Sequence, residues 1–264
     1  MHAIPELQKA LKSGVIAPAA ARSRRSDTED APLRLLPLCE AFSAAPADGA
    51  AVLGFALGLF SQETPKAAGP RIWIEPLAAG GEFGEAVADG LGQYGADPGR
   101  LILVRARSQG DALWATERAL AAPGARVACV IAPGAKPLSL TATRRLLLAA
   151  QHNASSCLLV RFDPAAASAA WTRWRVKAAP SRGADRELGP PAFEAVLERN
   201  RFGRTGQNLL LEWNAREHAF SRLNARRSAG RPDVPSDVLS GEMDVGLAAA
   251  PVARTEPARR IRAV

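Results

Sequence analysis

Glu40-Ala-Phe-Ser-Ala-Ala-Pro-Ala-Asp-Gly-Ala-Ala-Val-Leu-Gly-Phe-Ala-Leu-Gly-Leu-Phe60 reads as the end of an apolar strand, a tight turn and an apolar helix. A glycine at the mouth of such a helix is the layout of a phosphate-binding loop. The working pattern, GxxxxGK(S/T), supplies a Lys for the β/γ-phosphates and a hydroxyl for Mg²⁺. Here the turn runs through Pro46 and Asp48 to Gly49, and Ala50 and Ala51 follow. Neither an ammonium nor a hydroxyl stands after the glycine. The stretch predicts the frame of a nucleotide loop without its chemistry, and a function in contacts with macromolecules rather than in turnover.

Outward from that stretch, strand-like and helix-like runs alternate. Strands are expected at Leu35–Ser43, Arg71–Glu75, Arg100–Arg105, Arg126–Ile131 and Ser156–Arg161. Helices are expected over Gly49–Gln62, Glu82–Tyr94, Gln109–Ala121 and Thr141–Asn153, with Gly84, Gly90 and Gly92 weakening the second. Leu113, Trp114, Glu117 and Leu120 recur at helical intervals, and Thr141 or Thr143 is the candidate N-cap of the last helix. Apolar strands separated by helices imply a mostly parallel sheet covered on both faces. After residue 162 the runs Trp171–Lys177, Phe193–Arg199, Leu209–Trp213 and His218–Arg222 follow without helices between them. They predict an antiparallel extension at the sheet edge, with a turn at Asn200–Gly203.

The chain has 264 residues, 47% hydrophobic, enough for one large domain with tails. Domain limits are expected at an N-terminal helix and flexible link (1–31), a core (32–222) and a basic, disordered tail (223–264). Net charge is +8. That balance suits acidic partners, and equally a GC-rich genome, which inflates Ala, Gly, Pro and Arg together. No run approaches the roughly 18 apolar residues of a membrane span. Met1–Gly14 carries Glu6, Lys9 and Lys12 and no apolar signal core. Cys39, Cys129 and Cys157 lie far apart in apolar runs and read as free thiols of a reducing compartment. A cytoplasmic, nucleoid-associated protein without membrane contact is expected.

Parallel strands first and antiparallel hairpins last resemble the RecA core, an α/β P-loop NTPase fold, and Leu197-Glu-Arg-Asn-Arg-Phe-Gly203 resembles a late hairpin strand of it. The closer resemblance is to the ImuA family, RecA-related proteins of bacterial mutagenesis cassettes also described as SulA-like. It rests on Pro46-Ala-Asp-Gly-Ala-Ala with Gly54-Phe-Ala-Leu-Gly, Asp97-Pro-Gly-Arg-Leu-Ile-Leu-Val-Arg105 and Asp111-Ala-Leu-Trp-Ala-Thr-Glu-Arg-Ala-Leu120. Leu140-Thr-Ala-Thr-Arg-Arg-Leu146, Thr172-Arg-Trp-Arg-Val176 and Leu197-Glu-Arg-Asn-Arg201 with Glu212-Trp complete it, in order, from about residue 35 to 220. The resemblance implies a role in damage-induced (SOS) translesion synthesis. The implied partners are an ImuB-type Y-family polymerase homologue, an error-prone replicative-type polymerase, and RecA. The rivals are a SulA-like cell-division regulator and a stand-alone DNA-binding module.

Three candidate sites follow. The first is the loop Pro46, Asp48, Gly49, Ala50 and Ala51; with Ala132-Pro133 where a Mg²⁺-binding acid would end its strand, no cofactor and no ATP hydrolysis are expected. Glu75 then reads as a surface or helix-cap acid. The second is Trp171-Thr-Arg-Trp-Arg-Val-Lys177. Alternation sets Thr172, Trp174 and Val176 on one face and Trp171, Arg173, Arg175 and Lys177 on the other. The charged face would track single-stranded DNA, joined by Arg199, Arg201 and Arg204, or it is a solvated strand face with Trp174 in the core. The third is the tail, where Arg226, Arg227, Val238, Leu239 and Met243 suit a docking segment. His2, His152 and His218 are isolated, so no metal site is expected. Arg144 and Arg145 are expected to pair with acids on a neighbouring face.

Overall fold

The computed structural model describes residues 33–62, 69–77, 84, 86–163, 167–181, 183 and 189–223. The N-terminal segment 1–31 and the tail beyond Leu223 lie outside them, as do Arg226, Arg227, Val238, Leu239 and Met243.

The described residues form one nine-stranded sheet. In chain order the strands are β1 (Leu38–Ser43), β2 (Arg71–Pro76), β3 (Leu101–Ala106), β4 (Arg126–Val130), β5 (Ser156–Arg161), β6 (Thr172–Ala179), β7 (Ala192–Asn200), β8 (Gln207–Asn214) and β9 (Ala219–Arg222). Across the sheet they lie in the order β3-β2-β4-β5-β1-β6-β7-β8-β9. The first six run parallel and the last three extend the sheet antiparallel. The mixed α/β class and the antiparallel edge agree with the pattern read from the sequence.

Helices α1 (Gly49–Ser61), α2 (Ala88–Gln93), α3 (Gln109–Ala119) and α4 (Leu140–His152) flank the sheet. β1, fully buried between β5 and β6, is a near-continuous apolar run, as a strand covered on both faces must be. α1 is apolar nearly all round and correspondingly buried. Its Phe55 meets Trp174, Phe193 and Phe220 with ring centroids 5.7, 6.2 and 5.3 Å away. Edge-on and tilted rings of this kind contribute about 0.5–1.5 kcal/mol per pair beyond area burial. α1 ends where the guanidinium of Arg126 donates to Leu59 O at 3.1 Å and to Gln62 O, so a buried cation satisfies the last carbonyls. α3 and α4 cover the opposite face.

Two local expectations change, the cap of α4 and the length of α2, and α3 shows which of its residues face the sheet. The N-cap of α4 is Ser139, whose Oγ accepts from Ala142 N at 3.1 Å; Thr143 is instead buried, donating to Leu140 O. α3 buries Ala112, Thr116 and Leu120 and turns Trp114 outward, 63% exposed under the Arg118 guanidinium. The expected helix Glu82–Tyr94 is helical only over Ala88–Gln93 among the described residues. The three thiols are buried and free. Burial pushes each up, Cys129 to about 11.

The chain before β2 presses on the turn before β4. A Cβ at Gly69 would stand 2.4 Å from the carbonyl carbon of Gly124, which itself sits at φ +67°. Backbone cannot yield there. Gly69→Ala should lower stability by roughly 1–3 kcal/mol, whereas Gly92→Ala, in open space on α2, should be neutral or gain roughly 0.5–1 kcal/mol. Urea unfolding of the two variants checks this; equal midpoints would contradict the packing.

Candidate functional site

The β1–α1 loop is closed on itself. Its first residues are tied to both sides: Ser43 Oγ donates to Phe162 O at 2.5 Å and Ala44 N to Val176 O at 2.8 Å. The Asp48 carboxylate then accepts from Ala45 N and from Ala178 N of β6, each at 3.0 Å. In a phosphate-binding loop, amides of this kind face the ligand. Here the chain's own Asp48 carboxylate takes one such loop amide, Ala45 N, together with Ala178 N of β6, and it places negative charge just before the first residue of α1, where an anion would otherwise be favoured. Counting back from Gly49, the first glycine of the pattern is Ala44. Ala50 is exposed and Ala51 buried, with no polar atom on either side chain.

The surroundings do not restore the missing chemistry. β4 runs out into Ala132, whose N–H donates to Gln109 Oε1 at 2.8 Å, and Pro133. Glu75, ending β2, accepts from Trp73 Nε1 at 3.1 Å and lies 3.8 Å from Arg105 Nε. Its side chain is 13% exposed, so it is an acid folded against its own sheet rather than the expected surface or capping acid. Beside it a cavity of about 210 Å³ opens between α1, α2 and β2, walled by Leu53, Leu57, Trp73 and Leu91. An apolar cavity with one carboxylate is a poor host for a polyphosphate. Among the described residues no three His, Cys, Asp or Glu side chains are grouped to hold a metal ion.

The strand alternation of β6 is as read: Thr172, Trp174 and Val176 are buried in the core, with Arg173, Arg175 and Lys177 on the other face. Each of those cations meets a carboxylate. Arg175 Nε lies 2.8 Å from Glu198 Oε1 and Lys177 Nζ 2.7 Å from Glu194 Oε2. The Lys177 hydrogen bond holds the Glu194 carboxyl below the usual range, with a contribution from Asn208. Arg173 Nε lies 2.9 Å from Glu40 Oε2, a charge contact rather than an aligned hydrogen bond.

Glu40 is fully buried in the middle of β1. Besides Arg173 it accepts from Arg161 Nη1 at 3.0 Å and from Ser168 Oγ at 2.8 Å. One carboxylate therefore joins β1, β5, β6 and the 162–171 crossover. Sequence reasoning missed Glu40, Arg161 and Ser168. The available signal was a lone acid inside an apolar strand, which survives burial only when paired.

Trp171, Arg199, Arg201 and Arg204 gather elsewhere, at the β7–β8 hairpin tip. Arg199 Nη1 donates to Ser168 O at 2.6 Å and Arg201 N to Trp171 O at 2.9 Å. The Arg201 guanidinium lies 5.0 Å from the Trp171 ring, and Phe202, 61% exposed, meets the same indole edge-on at 5.1 Å. Asn200 shapes the turn, accepting from Phe202 N at 3.0 Å and donating to Arg204 O at 3.3 Å. On α4, Arg145 bridges to Glu117 of α3 at 2.7 Å, an acid on a neighbouring face as expected, and Arg144 is exposed.

These features define a class: a mixed α/β sheet protein whose strand–loop–helix junction is closed by its own carboxylate. Within that class, the chain is 34% identical over 171 residues to Protein ImuA from two strains of Caulobacter vibrioides. The match takes in 60% of this chain and 66% of each relative's length. No family model matches. SulA from Pseudomonas aeruginosa, a solved structure, aligns over 48% of this chain and 98% of its own, at 22% identity and a TM-score of 0.37. The chain is a homologue of ImuA, which bears out the resemblance read from its ordered segments. Among the described residues no helix is long and apolar enough to cross a membrane.

Glu40→Gln leaves Arg161 and Arg173 without their shared countercharge and should cost about 3–5 kcal/mol. Glu198→Gln, at an exposed pair, should cost under about 1 kcal/mol. Denaturant titration of both variants measures the difference; similar small losses would show that the buried network is not what holds the two halves of the sheet together.

Proposed function

We propose that this chain is a non-catalytic, RecA-like accessory protein of damage-induced translesion synthesis. It acts as an adaptor that brings together an ImuB-type Y-family polymerase homologue and an error-prone replicative-type polymerase, and it modulates RecA. Homology to ImuA supports the setting. The observation that carries the non-catalytic part is the Asp48 carboxylate, bonded to Ala45 N and Ala178 N in the loop that would otherwise cradle phosphates.

The physical argument runs from the loop outward. Phosphoryl transfer depends almost wholly on positioned cations and backbone donors around the phosphates. A loop with Ala50 and Ala51 after its glycine, an acid on one of its amides and Ala132-Pro133 at the neighbouring strand end supplies no cation for the phosphates. What is left is a rigid sheet with a long antiparallel edge, a scaffold suited to holding partners. The tail residues Arg226, Arg227, Val238, Leu239 and Met243 are the proposed docking segment, combining basic and apolar side chains in one stretch.

Co-precipitation of purified ImuB-type protein and of RecA with the full chain, and with a version ending at Leu223, tests the reading. The full chain should retain at least one of the two, and the shortened version should retain less. Capture of neither partner by the full chain would overturn the adaptor role; inhibition of FtsZ polymerisation by the same preparation would point to the cell-division alternative.

A further inference from the structure

The cations read together from the sequence are divided by the structure into two groups with different surroundings. On β6, Arg173, Arg175 and Lys177 are each matched by a carboxylate, Glu40, Glu198 and Glu194. A polyanion laid along that face would have to displace internal partners. At the β7–β8 tip the arrangement is different. Among the described residues, neither Arg199 nor Arg201 has a carboxylate within ion-pair distance; Arg199 is bonded to a backbone carbonyl and Arg201 is stacked on an indole.

We propose that this hairpin tip is a single-stranded nucleic-acid contact, in which Phe202 stacks a base and Arg199 and Arg201 hold the flanking phosphates. The tip has the three properties such a contact requires. Phe202 presents a ring that is 61% exposed on a turn held by Asn200, so an aromatic platform stands in solvent at little further ordering cost. The platform is backed, because its ring lies 5.1 Å from Trp171 in a T-shaped contact and the chain beneath is pinned by Arg201 N to Trp171 O. Positive charge stands beside it at sequence positions 199 and 201. A guanidinium lying over an indole is attracted to the ring face and still has N–H donors to offer phosphate oxygens.

Stacking does not depend on base identity, because every base has a π-face, and it needs bases free of a duplex. The tip therefore prefers single strands to duplex and is indifferent to sequence. Phosphate contacts add a salt dependence proportional to their number. This goes beyond the adaptor reading and does not depend on it, because no partner protein takes part.

Fluorescence anisotropy of a labelled oligo(dT), titrated with the full chain at several salt concentrations, tests the proposal. Wild type should bind the single strand more tightly than a duplex of equal length. Phe202→Ala should weaken binding roughly 5- to 150-fold, the range for losing one stacked base, and Phe202→Tyr should restore it. Arg201→Ala should weaken binding and flatten the salt slope by about 0.7, one phosphate on a single strand. Arg175→Ala should change affinity less than twofold. All four substitutions lie at exposed or half-exposed positions, and thermal melting confirms that each variant is folded. Wild-type affinity in Phe202→Ala and Arg201→Ala would overturn the proposal, as would no binding by wild type at low salt. It is equally overturned if Arg175→Ala is the damaging change, or if the tip variants lose a partner protein and keep the DNA. Retention of ImuB-type protein or RecA by the same variants separates failure here from failure of the adaptor reading.

Discussion

The carboxylate of Glu40 has no access to water, and the rest of the sheet is arranged around that fact. An isolated ion in such a place would be several kilocalories per mole too costly to keep. It is held by Arg161 from β5, Arg173 from β6 and Ser168 from the crossover between them. Strand β1 must therefore lie between β5 and β6, with Glu40 directly opposite Arg173. β6 in turn is the last parallel strand, and the antiparallel extension begins with its pairing to β7. A buried ion group of this kind is weak evidence for net stability; we read it as fixing register, since an apolar residue here would tolerate a slipped strand.

The same network reaches both the hairpin tip and the β1–α1 loop. Ser168, bonded to Glu40 through its hydroxyl, accepts Arg199 through its carbonyl and so anchors the hairpin tip. β6, set in register by Arg173, brings Ala178 N to Asp48 at the other end of the strand and closes the β1–α1 loop. An edge extension that might have served only to enlarge the sheet thus holds that loop closed and carries an exposed aromatic and basic turn. The cations between the two ends are matched internally by acids of β1 and β7.

Much of the frame was legible because period-2 and period-3.6 patterns report burial directly. The apolar runs at Leu38–Ser43, Arg126–Val130 and Ser156–Arg161 have few alternatives to central strands, and the alternation from Thr172 to Val176 placed Trp174 correctly in the core. What was not legible depends on register. The partners of Arg175 and Lys177 lie on β7, and the pairing of β6 with β7 shifts at Arg173/Trp174. No spacing in the sequence announces such a shift, so a row of cations read as open was in fact matched. Trp114 shows a different limit. Helical spacing groups it with Leu113 and Leu120, yet Ala112 and Thr116 face the core, Leu120 is buried just past the helix, and Trp114 faces outward. The division at residues 171–204 between a neutralised strand and a cationic tip needed coordinates.

We propose that the β1–α1 loop, with Asp48 bonded to Ala45 N and Ala178 N, does not take up nucleotide. Isothermal titration of the full chain with Mg²⁺–ATP, paired with phosphate release, tests it most directly. The account predicts no heat of binding and no release at millimolar ATP. Saturable binding, with hydrolysis abolished by a change at Asp48 or Glu75, would contradict it and return the chain to the enzymes.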